Sequence, residues 1–565
     1  MYYRKRNDTM NRSSRRYLVQ RLVMLLTSFL LALGLVPVVA LTTHAAGKQT
    51  SNAFRPWSPP PDMSTTPGTS PAALLRVPEE FATIQAAVNA ARPYDMISIA
   101  SGVYHEAVIV RTAHLTIRGR DRNSTILDGN FKLSNGFEVI ANDVVLENMT
   151  VRHYLGNGFY WEDVQGFRGS YLTAYANGDY GVYAFGSNTG QFDHDLAAGQ
   201  PDSGFYIGDC HPCNAVISHV ISEDNAVGYS GTNAGGNLVI RDSIWRDNLV
   251  GVLPNSHDYE PHPPEYDTTI INNLVENNNN LKAPAKRFIY FTFGTGIMIF
   301  GGNNNHILNN RVNGHLFYGI VIAFSPSKHF WEPSGNIVEH NIITHSGVAD
   351  LALAALSAGN NCFSDNTVAR TAPPFLQLTH ACGSLFARAG AGDPGVVTTI
   401  FNHYIHAILK RFQPADWKKA PMPAMQPGMP DPTIAPQGIF TDTERTPLDM
   451  TVAPTSIAPA ITLGSLGLAG PFFEVLLGFY MYYLPLALYS AWISVATWDI
   501  VRRSEMKGRA RLGWLAIVYL IPVLGPLAYY LLSRSEISRG TRLALVIGAP
   551  IVYLVIAALL LLTIS

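Results

Sequence analysis

Gly136, Gly158, Gly181, Gly204, Gly228, Gly251, Gly296 and Gly319 each open a short apolar or aromatic run, at successive spacings of 22, 23, 23, 24, 23, 45 and 23 residues. A near-constant period of this length requires one structural unit stacked on itself, each copy burying its apolar face against its neighbours. The 45-residue gap reads as a rung carrying an insertion about one repeat long.

A second column has the same period. Leu146-x-Asn148, Phe167-x-Gly169, Phe192-x-His194, Ile217-x-His219, Ile240-x-Asp242, Ile270-x-Asn272, Ile307-x-Asn309, Val338-x-His340 and Phe363-x-Asp365 recur once per rung, and every first member is apolar. In a parallel coil the apolar member stacks inward. The third member is then expected to form an asparagine-type ladder along the axis, with His194, His219 and His340 as replacements. From Met96 to Gly383 this gives roughly eleven to twelve coils and a rod of around 55 Å.

The segment opening at Val77 contains an amphipathic helix over 82–91 with the sequence TIQAAV, followed by GVYHE. On those residues and the repeat, 77–383 resembles the right-handed parallel β-helix, or pectin lyase-like, superfamily. The resemblance implies an all-β coil over 76–383 whose open start is covered by the helix. A second amphipathic helix, 396–412, is expected to cap the far end within a segment 384–412.

The flanks differ in solvent. Arg4, Lys5, Arg6 and further arginines precede an uncharged run, Leu22 to Leu41, which reads as an export signal or N-terminal anchor over 1–46. Residues 47–75 and 413–465 are proline-rich and read as linkers. Residues 466–565 hold apolar segments near 471–500, 512–532 and 543–564, a membrane domain of two to three helices in which Ile521-Pro522-Val523-Leu524-Gly525-Pro526 could break the middle segment into a re-entrant hairpin. Trp498-Asp499, Arg502-Arg503, Trp514 and YLIPVLGPLAYYLL resemble the membrane domain that precedes the catalytic part of cardiolipin synthases and related phospholipase D-type proteins. The paired His-x-Lys motifs of that catalysis are missing, so the resemblance implies anchoring, not lipase activity. The lipid bilayer is accordingly an expected partner, and the cell membrane, with the coil outside, the expected location.

Charged residues make up 14% and net charge is −1, which excludes a basic field for nucleic acid and favours a weakly charged polymer such as a polysaccharide. Alternation along the glycine strands turns Phe159, Val182, Phe205, Tyr229, Val252, Ile297 and Ile320 inward. Tyr160, Tyr183 and Tyr206 then face outward on successive rungs, a candidate sugar platform. Three insertions fall at one edge: Asp209 to Cys213, Pro254 to Asp267, and Ser325 to Ser334. Their lip gathers Asp209, His211, His257, Asp258, Glu260 and His262 as acid/base candidates, with Glu265, His329 and Glu332, and Trp331 as a sugar contact. Such a set also suits a divalent cation such as calcium, as do Asp179, Asp193, Asp195 and Asp202. Asp193-His194-Asp195 loosely resembles the Asp-Pro-His-Asp/Glu motif of alginate C5-epimerases without its proline, so no catalytic set carries over. Any activity would be that of a lyase, glycoside hydrolase or epimerase; the other class is a non-catalytic adhesion or envelope scaffold. Cys210 with Cys213 and Cys362 with Cys382 read as two local disulfides of an oxidising compartment.

Overall fold

The computed structural model describes residues 72–355, 359–383, 392–408 and 414–433, scattered positions from there to 439, and the segments 484–503, 508–520, 524–533 and 539–543. The export signal 1–46 and nearly all of the linker 47–75 lie outside the described residues, as does most of the apolar segment 543–564.

Three parallel sheets of 12, 11 and 10 strands share one axis. The chain visits them in turn, so each coil adds one strand to each sheet: an all-β parallel β-helix, as the repeat requires. In the sheet of 11, Phe159, Val182, Phe205, Tyr229, Val252, Ile297, Ile320 and Leu351 pair in register and are fully buried. Helix α1 (Ile84–Ala90), capped by the Thr83 hydroxyl accepting from Ala86 N–H, closes the start.

The glycine repeat has a steric cause. A Cβ placed on Gly136, Gly158 or Gly181 would lie 2.6 Å from the carbonyl oxygen of the next glycine in the column, and on Gly228 or Gly251 2.4 Å. Those distances are far inside van der Waals contact, so the column excludes any side chain. The 45-residue gap is not one insertion. It is divided between the loop after strand Val250–Asn255 and the segment 277–294, which contains the 3-10 turn Arg287–Thr292.

The amide ladder sits one residue beyond the expected column. Asn273, Asn310, Asn341 and Asn366 form it: the Oδ1 of each of the last three accepts the backbone N–H and the Nδ2 of the asparagine one coil earlier, at 2.8–3.0 Å. Asn225, Asn248 and Asn278 form a second ladder at another corner. His194, His219 and His340 instead occupy the left-handed corner positions (φ 58°, 55° and 58°) and are exposed. Tyr171, His194 and His219 stack there with ring centroids 4.6 and 5.0 Å apart.

Two further expectations change. The far end of the coil is closed by the short helix α2 (Leu376–Thr379), whose Leu376 enters the core beside Phe363 and Val338. Helix α3 (Pro394–Ile408) is not an end cap: Val396, Val397 and Ile400 lie on the outside of the sheet of 11, against Leu253, Met298, Val321 and Ala352. Nor is the start of the 413–465 linker free. Trp417 packs on Phe131, and the carbonyls of Gln426, Pro427 and Pro432 accept from Asn123, Arg122 and Arg118. This strap covers a buried ion-pair ladder, Arg118–Glu147–Arg168–Asp193.

The described residues from 484 onward belong to a separate unit. Its helices are α4 (Leu484–Arg502), α5 (Gly508–Leu520), α6 (Leu524–Leu532) and α7 (Arg539–Leu543). Tyr529 meets Trp514 edge to face at 5.3 Å and donates to buried Asp499 at 2.5 Å. Within the 512–532 segment, α5 and α6 pack on each other. No helix among the described residues is long and apolar enough to cross a membrane.

Candidate functional site

The outer face of the sheet of 11 is divided. Its later strands present apolar residues that α3 covers. Its earlier strands present Glu138, Tyr160, Tyr183 and Tyr206 in one paired column. Tyr160 and Tyr183 remain half-buried, whereas Tyr206 is 1% exposed. The tyrosines are aligned as the alternation requires, but Tyr206 is closed off.

The rings are not a flat platform. Tyr180, Tyr183 and Tyr160 form one stack, with centroids 4.2 and 4.7 Å apart and interplanar angles of 10° and 14°. Tyr206 meets Tyr183 edge to face at 4.8 Å. Because stacked faces turn to each other, the strip offers mainly ring edges and hydroxyls. Burial above all pushes the phenols of Tyr160, Tyr180 and Tyr183 well above their ordinary range, Glu162 adding to it for Tyr160, Asp202 for Tyr180 and the Tyr160 phenol for Tyr183, so all stay protonated donors.

The lip insertions meet as their shared edge requires. Asn233 anchors the middle loop, its Nδ2 donating to the carbonyls of His257, Glu260 and Pro261. Glu260 reaches the strip: its Oε2 accepts from Tyr206 Oη at 2.6 Å. Burial raises the Glu260 carboxyl to about 7; the Tyr206 bond works against this, and the charges of Asp209 and Asp202 add to it. Asp209 lies 3.2 Å from His262 Nδ1, with the His211 ring 5.7 Å from His262. Glu260, Asp209, His262 and His211 are thus brought together beside the tyrosines.

Other candidates go elsewhere. Asp258 pairs with His329 at 2.6 Å, joining the middle loop to the hairpin of Ser325–Pro326 and Phe330–Trp331. His257 stacks on Tyr259 at 4.4 Å. Trp331 lies against Gly301, three coils beyond Tyr206, so it is no part of the tyrosine strip. Glu265 is buried inside the coil, accepting from Thr268 Oγ1 and Asn305 Nδ2 at 2.8 Å. Asp193 is tied to Arg168 and His194 at 3.0 Å, and Asp195 accepts from Leu172 N–H, both on a different sheet edge. Asp179 and Asp202 are equivalent positions on successive coils, the Asp202 N–H donating to the Asp179 carbonyl. Both cysteine pairs are disulfides. Among the described residues no group of three His, Cys, Asp or Glu side chains converges as metal ligands.

Sequence reading missed Lys286 and Tyr180. Lys286 Nζ lies 2.8 Å from Asp202, pairs with Asp179, and sits 5.4 Å from the Tyr180 centroid. It arrives from the insertion, which carries no periodicity to place it. Tyr180 had a signal: it precedes Tyr183 by three residues at a coil corner.

Residues 157–332 match the family model of the right handed beta helix region, and residues 491–534 match that of the phospholipase D-nuclease N-terminal segment. No curated protein matches the chain. Among solved structures, similar chains include the Azotobacter vinelandii mannuronan C-5 epimerase AlgE4 A-module (16% identity, 51% of this chain, 91% of that one, TM-score 0.41). Others are an alginate lyase from Paenibacillus sp. str. FPU-7 (13%, 53%, 99%, 0.36) and a DFA-IIIase from Arthrobacter chlorophenolicus A6 without its lid (11%, 52%, 98%, 0.36).

Proposed function

We propose that this chain is an exported, membrane-anchored β-helix protein that binds or processes a polysaccharide at the cell surface, along the earlier half of the sheet of 11, which α3 does not cover. The observation that carries this reading is the axial strip of Tyr160, Tyr180 and Tyr183 hydroxyls, bordered by Glu260, Asp179 and Asp202. A polyhydroxylated chain needs many donors and acceptors spaced along a line, and a coil supplies them once per rung. Two disulfides suit an oxidising compartment, and the match over 491–534 supports the anchor.

Glu260 gives the processing version a specific actor. A carboxyl titrating near 7 exists in both protonation states at neutral pH, which is what a general acid or base requires. The test is a polysaccharide array with the full chain, followed by assays of hits for reducing ends, unsaturated products and proton exchange. Binding lost in Tyr160→Ala and Tyr183→Ala supports the site. Products that vanish in Glu260→Gln support catalysis, whereas binding without product leaves the scaffold class. Binding unaffected by all three substitutions overturns the assignment.

A further inference from the structure

The tyrosine stack has two ends, and they are built from the same chemistry. At the Tyr180 end, the Lys286 ammonium lies over the ring and between the carboxylates of Asp179 and Asp202. At the Tyr160 end stand Glu138, paired with Tyr160 in register, and Glu162, two residues on, with Asp163 also acting electrostatically on the phenol. Glu138 accepts an amide hydrogen from Asn135 at 3.0 Å. None of these three acids makes an ion pair with a described residue. Past Tyr206, the Glu260 carboxyl accepts the phenol and is held largely protonated below pH 7, so the acidic wall is that of the Tyr160 end.

Resting on the polysaccharide reading above, we infer that this groove takes a glycan whose sugars carry free amines, the sugar ammonium docking at the Tyr160 end among Glu138, Glu162 and Asp163 as Lys286 docks at the other. Lys286 is the internal precedent. An alkylammonium is held by an aromatic face and two carboxylates, each contact being electrostatic and strengthened by partial burial. A cleft lined by one sign of charge concentrates ligands of the opposite sign and repels its own. A polyuronate would meet Glu138, Glu162 and Asp163 with Lys286 already engaged by Asp179 and Asp202. A metal ion is the poorer fit, because the described carboxylates are spread along the axis without converging.

The experiment titrates the full chain at pH 6 with three hexamers: β-1,4-linked glucosamine, its fully N-acetylated form, and galacturonate. The free-amine hexamer is expected to bind about tenfold tighter than the acetylated one, with the preference shrinking in high salt, and galacturonate to bind weakest. In the Glu138→Gln/Glu162→Gln variant the amine preference should fall to about twofold or less. A circular dichroism spectrum and Tm that match wild type show that the variant is folded. Equal affinity for the amine and acetylated hexamers overturns the inference and leaves the polysaccharide reading standing. A preference that survives the double substitution overturns the placement at Tyr160. No binding of any hexamer, together with a silent polysaccharide array, overturns both.

Discussion

Tyr206 and Glu260, 54 residues apart in sequence, meet at 2.6 Å, the phenol donating to the carboxyl. This one bond seats the middle lip loop on the tyrosine strip, and it explains why Tyr206 is enclosed while Tyr160 and Tyr183 are not. It also puts an acid that titrates near neutrality beside the groove. Replacing Tyr206 by Phe should leave the coil intact and increase amide exchange across 256–262. Unchanged exchange would show that the Asn233 anchor alone holds the loop.

Burial raises the Glu265 carboxyl to about 8, against bonds from Thr268 and Asn305. A folded-state value above the unfolded one means the native protein binds the extra proton, so stability falls as pH rises from about 4.5 through 8. Wild-type Tm should decline over that interval, and Glu265→Gln should flatten the decline. The difference at pH 9 should be on the order of a few kcal/mol. A variant whose Tm tracks wild type across the range would show that Glu265 is not the buried titrating group.

Gly181→Ala is expected to cost about 2 kcal/mol or more in chemical denaturation. Its new Cβ would lie 2.6 Å from the Gly204 carbonyl and 2.9 Å from Ala197 Cβ. Gly102→Ala, whose nearest neighbour would be the Tyr104 ring at 3.4 Å, is the matched control and should be close to neutral.

Asn310→Ala removes two acceptor and two donor bonds from a buried ladder and should cost roughly 2 to 4 kcal/mol. His340→Ala, at the exposed corner position, should change stability by less than about 0.5 kcal/mol. The reverse ranking by urea denaturation would restore the histidine column as the ladder.

Arg168→Ala should destabilise by about 3 to 5 kcal/mol, because it leaves buried Asp193 without its guanidinium and buried Glu147 with Arg118 alone. Arg168 holds the Asp193 carboxyl well below the usual carboxylate range against the opposing effect of burial. That contribution is present above the unfolded carboxylate pKa and disappears as pH falls through the folded value. The variant should therefore lose least relative to wild type in strong acid, as read by denaturation midpoints at falling pH.

Much of the fold was legible because a coil is a local rule repeated. The glycine column fixed the period, and alternation then fixed which side of each strand Phe159, Val182 and Tyr229 occupy. The ladder was misplaced by one residue because neighbouring polar positions share the 23-residue period, and spacing cannot tell the left-handed corner residue from the inward amide. Corner geometry decides that: the exposed His340 takes φ 58°, and Asn341 turns in to bond its neighbours.

The sequence by itself determined the stacked coil, the alignment of Tyr160, Tyr183 and Tyr206, and the shared edge of the three insertions, because each follows from periodicity. Only the tertiary structure decided which half of the sheet α3 covers, that Glu260 and not Asp258 turns toward the tyrosines, and that Lys286 reaches back to Asp179 and Asp202. Those outcomes depend on non-repeating segments, whose paths are set by long-range packing and charge and leave no periodic trace in the chain.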